Sequence, residues 1–291
     1  MQENNELHAL FQLIDDPDEE VFGAVTNRIV DYGTGIIPNL ENLWENSVSQ
    51  EVQGRIELLI HKLHFSDLTE EFKRWNEQSK PDLLQGAILL SKYRYPELSI
   101  AQVYQDIEKL RRNIWLELNN YLTPLEQVNV LTSILYNYFN LRGEETSYQQ
   151  PDDFLLHKVL ETKRGNCISN GVLYVILSEL LDLPIRVVNI PKQFVLGYYR
   201  TDYDFTRHTE TINYKAEFFI DPVSGHIFTH KEVESYFDRI KLTSSDAFYQ
   251  QVSNRKIIQM LINEYCKCYD SDKNKAKFEE LRSLSALITH S

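Results

Sequence analysis

Val21, Val25 and Ile29 recur at intervals of four and give way to Gly33, a spacing that puts all three on one face of a helix. Asp16 followed by Pro17, with Glu19 three places after Asp16, reads as the start of that helix. It offers a capping carboxylate, a proline whose missing N–H costs nothing in a first turn, and a capping-box partner. Leu40, Leu43 and Trp44 form a second apolar stripe, and Val52, Ile56, Leu59, Ile60 and Leu63 a third. Further helices are predicted over about 67–78, 82–93, 99–122 and 124–141, the last with Leu131, Leu135 and Tyr138 on one face.

The pattern then changes. Gly143 to Asp153 is polar and predicts an exposed loop, and Phe154 to Leu160 a short helix. Arg164-Gly165-Asn166 breaks that helix, and a strongly apolar one opens at Cys167 and runs to about Leu181, with Val172, Val175, Ile176 and Leu180 as its burial face. Ile185 to Ile190, Phe194 to Tyr199 and Ala216 to Ile220 are rich in β-branched and aromatic residues between turn signals, and predict strands. From Ser244 to Thr289 the helical period returns, with Ile257, Leu261 and Tyr265 at spacing four. The predicted fold class is α+β and mostly helical: a helix packed on a small antiparallel sheet over 143–243, flanked by a helical region over 1–142 and a helical tail over 244–291. The paired helices at the start are similar to HEAT-type units, of which there is room for one and a half.

Composition narrows the function classes. The chain of 291 residues holds 10 Gly and 9 Pro, each about 3% and below usual levels, which disfavours an all-β fold with many tight turns. Thirty Lys and Arg against 43 Asp and Glu leave a net charge of −13, a sign that repels phosphate backbones and anionic lipid heads, so neither nucleic acid nor a membrane surface is an expected partner. No run is apolar for the length a membrane span needs, and Met1 to Glu6 lacks the basic and apolar regions of a signal peptide, which predicts a cytoplasmic chain without structural disulfides. His61 and His64 stand three apart with no third ligand in view, and Cys266 and Cys268, two apart, point to different faces of a helix. No phosphate loop, dinucleotide fingerprint or zinc-protease motif is present, so neither a metal nor a cofactor is expected.

Cys167 is the candidate for chemistry. A helix start presents unpaired N–H groups and the positive end of the macrodipole, which favours thiolate and predicts a pKa below the free value of about 8.5. Around it the residues begin to resemble a family. Arg164-Gly165-Asn166-Cys167-Ile168-Ser169, the helix from Leu173-Tyr174 to Leu183-Pro184, Val188-Asn189-Ile190-Pro191, and Phe219-Ile220-Asp221-Pro222 with Gly225 resemble the transglutaminase-like core of bacterial SirB-type proteins over about 145–232. Asp15-Asp16-Pro17-Asp18 in a helical N-terminal region, and a tail loosely similar to tetratricopeptide repeats, fit the same resemblance.

That resemblance implies a papain-like triad of Cys, His and Asp on a core helix and two successive strands. Its nucleophile falls on Cys167 and its acid on Asp221, while its histidine falls on Gln193, because Pro191-Lys192-Gln193-Phe194 stands where the family usually reads Pro-Gly-His-Phe. A Gln amide neither accepts a proton near neutral pH nor becomes a cation, and general acid–base help is typically worth about 10²–10⁴-fold. Gln193 remains able to hydrogen-bond between Cys167 and Asp221. Asp221-Pro222 with Ser224-Gly225 also reads simply as a turn at a strand end. His226 and His208 are the candidates for a substitute base, and His230 reads as a helix start. The favoured reading is a non-catalytic or impaired transglutaminase-like module acting through protein or peptide contacts. The alternative is a cysteine hydrolase or acyl transferase on amide or thioester bonds that uses Cys167 with a base recruited elsewhere.

Overall fold

A computed structural model describes residues 2–204 and 209–288. Helices α1 (Gln2–Gln12), α2 (Glu19–Asp31), α3 (Ile37–Asn46), α4 (Gln50–Glu77), α5 (Leu83–Arg94), α6 (Ile100–Glu117) and α7 (Pro124–Thr132) come first. Two short strands, β1 (Arg142–Gly143) and β2 (Arg164–Gly165), bracket α8 (Leu156–Thr162). The core helix α9 (Cys167–Leu180) leads into β3 (Ile185–Val188), β4 (Val195–Asp204), β5 (Thr209–Ile220) and β6 (Ile227–Phe228). The last helices are α10 (His230–Arg239), α11 (Asn254–Cys266) and α12 (Lys275–Leu287). The predicted class holds: a mostly helical α+β chain with one small antiparallel sheet and helical regions on either side of it in sequence. Two compact units divide it, Met1–Arg74 with Lys92–Pro96, and Trp75–Ser91 with Glu97–Ser291.

In the first unit the cap of α2 is Asp18, whose side chain accepts from the Glu20 amide at 2.8 Å. Asp16 instead accepts from Asp18 N at 2.9 Å, so the cap lies two residues beyond its predicted place. Phe22, Val25 and Ile29 form the buried stripe, with Val21 only part-buried at its edge, and Leu40, Ile56, Leu59 and Leu63 complete this core. The two helices predicted over 52–63 and 67–78 are one. No Gly or Pro interrupts His64-Phe65-Ser66-Asp67, and Leu63, Leu68 and Phe72 carry the buried stripe across the join.

In the second unit α9 is buried from Ile168 to Ser178, on all sides rather than on the single predicted face. It lies against α6, α8 and α11 as well as β3 and β4, so every one of its faces meets protein. Leu180, assigned to that face from sequence, is 42% exposed at the helix end. The sheet runs β3-β4-β5-β6, all antiparallel, with Val188 opposite Val195, Leu196 opposite Ile220 and Phe219 opposite Phe228. Its β3 edge is occupied at this end, and its outer strand β6 is two residues long. Gln251 bridges to Val188, Val252 N donates to Val187 O at 2.9 Å, and past the end of β6 the His230 ring bonds the Ala216 carbonyl at 2.6 Å.

Two segments between α6 and α9 depart from expectation. The helix predicted over 124–141 is α-helical only to Thr132, then continues as a π-helical turn, Ser133–Tyr138, in which Phe139 N donates to Ile134 O at 2.8 Å. The wider turn rotates the face: Leu131 and Leu135 stay buried while Tyr138 is 79% exposed. The predicted exposed loop after Gly143 is exposed or part-buried throughout to Asp153, but it is pinned at both ends. β1 and β2 pair in parallel, Glu144 N donates to Gly165 O at 2.8 Å, and Pro151–Phe154 forms a 3₁₀ turn. Among the described residues no helix is long and apolar enough to cross a membrane.

Candidate active site

The helix carrying Cys167 starts where its cap dictates. Asn166, buried, accepts from Ile168 N at 3.0 Å and Ser169 N at 3.1 Å, and the Ser169 hydroxyl accepts from Asn166 N at 3.0 Å, closing a capping box. The Ser169 hydroxyl also donates to Asp153 O at 2.6 Å, which docks the 3₁₀ turn on the cap. A side chain at Gly165 would collide with Asn170 and Ser169, so the elbow between β2 and α9 requires a glycine there. Cys167 is thereby fixed as the first residue of the helix, half-buried.

One turn further on, the same helix face presents Gly171. A Cβ at Gly171 would run into the Phe194 ring and come within 3.3 Å of Pro222. Phe194 follows Gln193 and Pro222 follows Asp221, so the chain neighbours of both predicted partners close on the helix one turn beyond the thiol.

Asp221 sits just past the end of β5 in a tight turn. Its Oδ1 accepts from Val223 N at 2.9 Å and its Oδ2 from the Ser224 hydroxyl at 2.7 Å, while Gly225, at φ 72°, donates its N–H to Asp221 O. The turn reading of Asp-Pro therefore holds, and the carboxylate's charge also reaches Cys167. Side chains behind it hold the turn. The Tyr136 hydroxyl donates to Pro222 O at 2.6 Å, Val223 packs so closely on Gly143 that no side chain fits there, and the Tyr174 hydroxyl lies 3.0 Å from that of Thr132. Burial raises the Tyr136 and Tyr174 phenols far above their ordinary pKa, so both stay neutral hydrogen-bonding groups.

Gln193 lies in the exposed turn before β4 and not within a strand. The turn is anchored on either side of it, by Tyr236 donating to Pro191 O at 2.9 Å and by buried Phe194. The Gln193 amide itself makes no hydrogen bond to Cys167 or Asp221, so the polar bridge expected between them is not formed.

The thiol's electrostatics run against the expectation from the helix dipole. Burial pushes the Cys167 pKa up, and the Asp221 and Glu264 carboxylates push it further, whereas the Thr146 hydroxyl, 3.8 Å from the sulfur, and the Ile168 N–H pull it down. The upward influences win. A half-buried sulfur facing carboxylates has more to lose by ionising than one helix end returns.

Neither His226 nor His230 is hydrogen-bonded to the thiol. His226 is exposed, and the carboxylate it acts on is Glu232. His230 does begin α10, with its ring committed to Ala216 O and edge-on to Phe219. His208 lies outside the described residues. The sequence carries no local spacing that marks Thr146, Tyr136 or Glu264. His157 does carry a signal, because its place in the apolar frame Leu155-Leu156-His157-Lys158-Val159-Leu160 marks it for burial, and burial pushes its pKa down to about 4. Cys266 is buried in α11 and Cys268 lies beyond its end; neither forms a disulfide. Among the described residues no three His, Cys, Asp or Glu gather as metal ligands.

A sequence model of the family described as "Transglutaminase-like superfamily" matches residues 101–263, more than half of the chain. The chain belongs to the transglutaminase-like superfamily. Its relatives there include UPF0162 protein YchA of Escherichia coli strain K12, 22% identical over 190 residues that cover 64% of this chain and 66% of YchA. Protein SirB1 of Salmonella typhimurium is 28% identical over 120 residues, 41% of this chain and 45% of SirB1. A UPF0162 protein of Vibrio cholerae is 20% identical over 157 residues, 53% of each chain. The matched segments span two thirds or less of each relative's own length. No solved structure gives a significant match. The family match takes in α6 to α11, so the thiol, the sheet and the turns around Asp221 and Gln193 all lie within the transglutaminase-like part.

Proposed function

We propose that this chain is a non-catalytic transglutaminase-like module that acts through protein or peptide contacts. The observation that carries the reading is the surroundings of Cys167: its polar neighbour is the Thr146 hydroxyl, and Gln193, which the resemblance sets at the base position, makes no hydrogen bond to it. Hydroxyl and amide neither take a proton near neutral pH nor stabilise a thiolate as an imidazolium does. Asp221, which would orient a histidine, spends both oxygens within its own turn. Three cysteines without the spacing of a disulfide framework fit a reducing compartment, and we propose a cytoplasmic location. A second reading, a cysteine hydrolase or acyl transferase, draws its support from the half-exposed thiol at a well-capped helix start.

Alkylation of Cys167 by iodoacetamide, followed by mass spectrometry so that Cys266 and Cys268 are scored separately, tests the first reading against the second. The rate is expected to climb only as pH passes about 8.5, the free-thiol value, with no plateau at lower pH. Gln193→His is expected to shift the profile to lower pH if Asp221 can orient the new ring. Rapid alkylation of the unaltered protein at about pH 5–6, abolished by His226→Ala or His208→Ala, would replace this reading with the enzyme.

A further inference from the structure

Leu116 (66% exposed), in the last turn of α6, and Tyr138 (79%), in the π-helical turn, are large apolar side chains that line one concavity. Large apolar side chains exposed singly are ordinary, but grouped around a concavity they mark a contact surface. Here the concavity is a cleft of about 630 Å³. Its floor is Leu122, Val130 and Ile134, and Leu116 and Tyr138 form part of its walls. Tyr138 is available only because the π-helical turn swings it off the buried stripe.

The charges at this cleft have one sign. Glu117 and Glu126 line it, and no Lys or Arg does. Glu126 gives one oxygen to the capping box at Thr123, and among the described residues Glu117 makes no ion pair. The cations nearest along α6 are turned to other duty: Arg111 holds Glu108 through two bonds of 2.7 Å, and Arg112 acts on the same carboxylate.

We infer that this cleft docks an amphipathic helix of a partner protein, with apolar side chains for the floor and Lys or Arg for the acidic rim. Strand addition has little to pair with at this end of the sheet, where Gln251 and Val252 occupy the edge of β3 and the outer strand β6 is two residues long, so binding through side chains is favoured. A second copy of the chain is disfavoured because a two-fold contact would bring the same acidic rim against itself, on a molecule of net charge −13.

The inference rests on the protein-contact reading, and its test is separable from it. The probe is a fluorescein-labelled synthetic helix of about 18 residues, Leu at i, i+3, i+4 and i+7 and Lys on both flanks, read by anisotropy. A matched peptide carries Glu for each Lys. Saturable binding of the Lys peptide is expected, at least about tenfold tighter than that of the Glu peptide. Leu116→Ala and Tyr138→Ala should each weaken it about tenfold, and Glu117→Lys by about three- to tenfold, a difference that shrinks in about 0.5 M salt. Val48→Ser, at an exposed residue of the other unit, should leave binding unchanged. Cys167→Ser should do the same, since the thiol is not part of the cleft, and loss of binding in that variant would put the peptide at the thiol and overturn the cleft assignment. No binding up to about 1 mM, equal binding of both peptides, or a dimer in sedimentation that Leu116→Ala dissociates would each overturn it too.

Discussion

The hydroxyl of Tyr136 donates to the carbonyl of Pro222 across 2.6 Å, tying the π-helical turn to the residue directly after Asp221. Its removal leaves a part-buried carbonyl without that partner. Tyr136→Phe is expected to cost about 1–2 kcal/mol in urea unfolding, while Tyr138→Phe, at a side chain standing 79% in solvent, should cost close to nothing. Equal effects of the two would show that the Pro222 bond does not hold the turn.

Two glycines should respond to alanine with opposite signs. Gly171 faces Phe194 and Pro222 with no room for a Cβ, so Gly171→Ala overpacks the core and should destabilise by about 1–3 kcal/mol. Gly54, exposed in α4, has nothing within 4 Å of its would-be Cβ, and Gly54→Ala should stabilise by about 0.5–1 kcal/mol through helix propensity. Denaturation midpoints measured side by side decide the matter.

His157 gives stability a pH dependence. Its folded pKa is about 4, lowered from 6.5 mainly by burial and by Lys158, against the opposing pull of Asp152 and Glu161. The folded state then binds fewer protons than the unfolded one, so this contribution is intact above the unfolded pKa and is lost as pH falls from 6.5 towards about 4. The fall in melting temperature between about pH 7 and pH 5, above the usual carboxylate range, should be shallower in His157→Gln than in the unaltered chain. An identical fall in both would exclude His157 as its source.

Within α9, Ile176 is 1% exposed and Leu180 is 42% exposed. Ile176→Ala should cost about 2–5 kcal/mol as a core cavity. Leu180→Ala, at the open end of the helix, should cost under about 1 kcal/mol. If Leu180→Ala proved the more damaging of the two, the C-terminal end of α9 and not its middle would be the buried part.

The start of α9 at Cys167 is legible in the sequence because the cue is local: a Gly-Asn break, then an unbroken apolar run. The strands are legible for the same reason, as the period changes at Ile185. The single burial face is not, because several sets of neighbours bury the helix from every side and periodicity reports only a two-sided environment. Thr146 is hidden because its position depends on Arg142 pairing with Arg164, and Tyr136 because its partner lies 86 residues away. Asp16 outranks Asp18 on motif alone, yet the chain enters α2 two residues later than the motif suggests.

Gln193 stands exposed in a turn that Pro191 and Phe194 hold without its help. Its replacement should therefore be silent in any measurement of folding, Gln193→His moving stability by no more than about 0.5 kcal/mol. Stability and chemistry are uncoupled at this position. A residue at this position can change its chemistry by one substitution, and folding would not register the event.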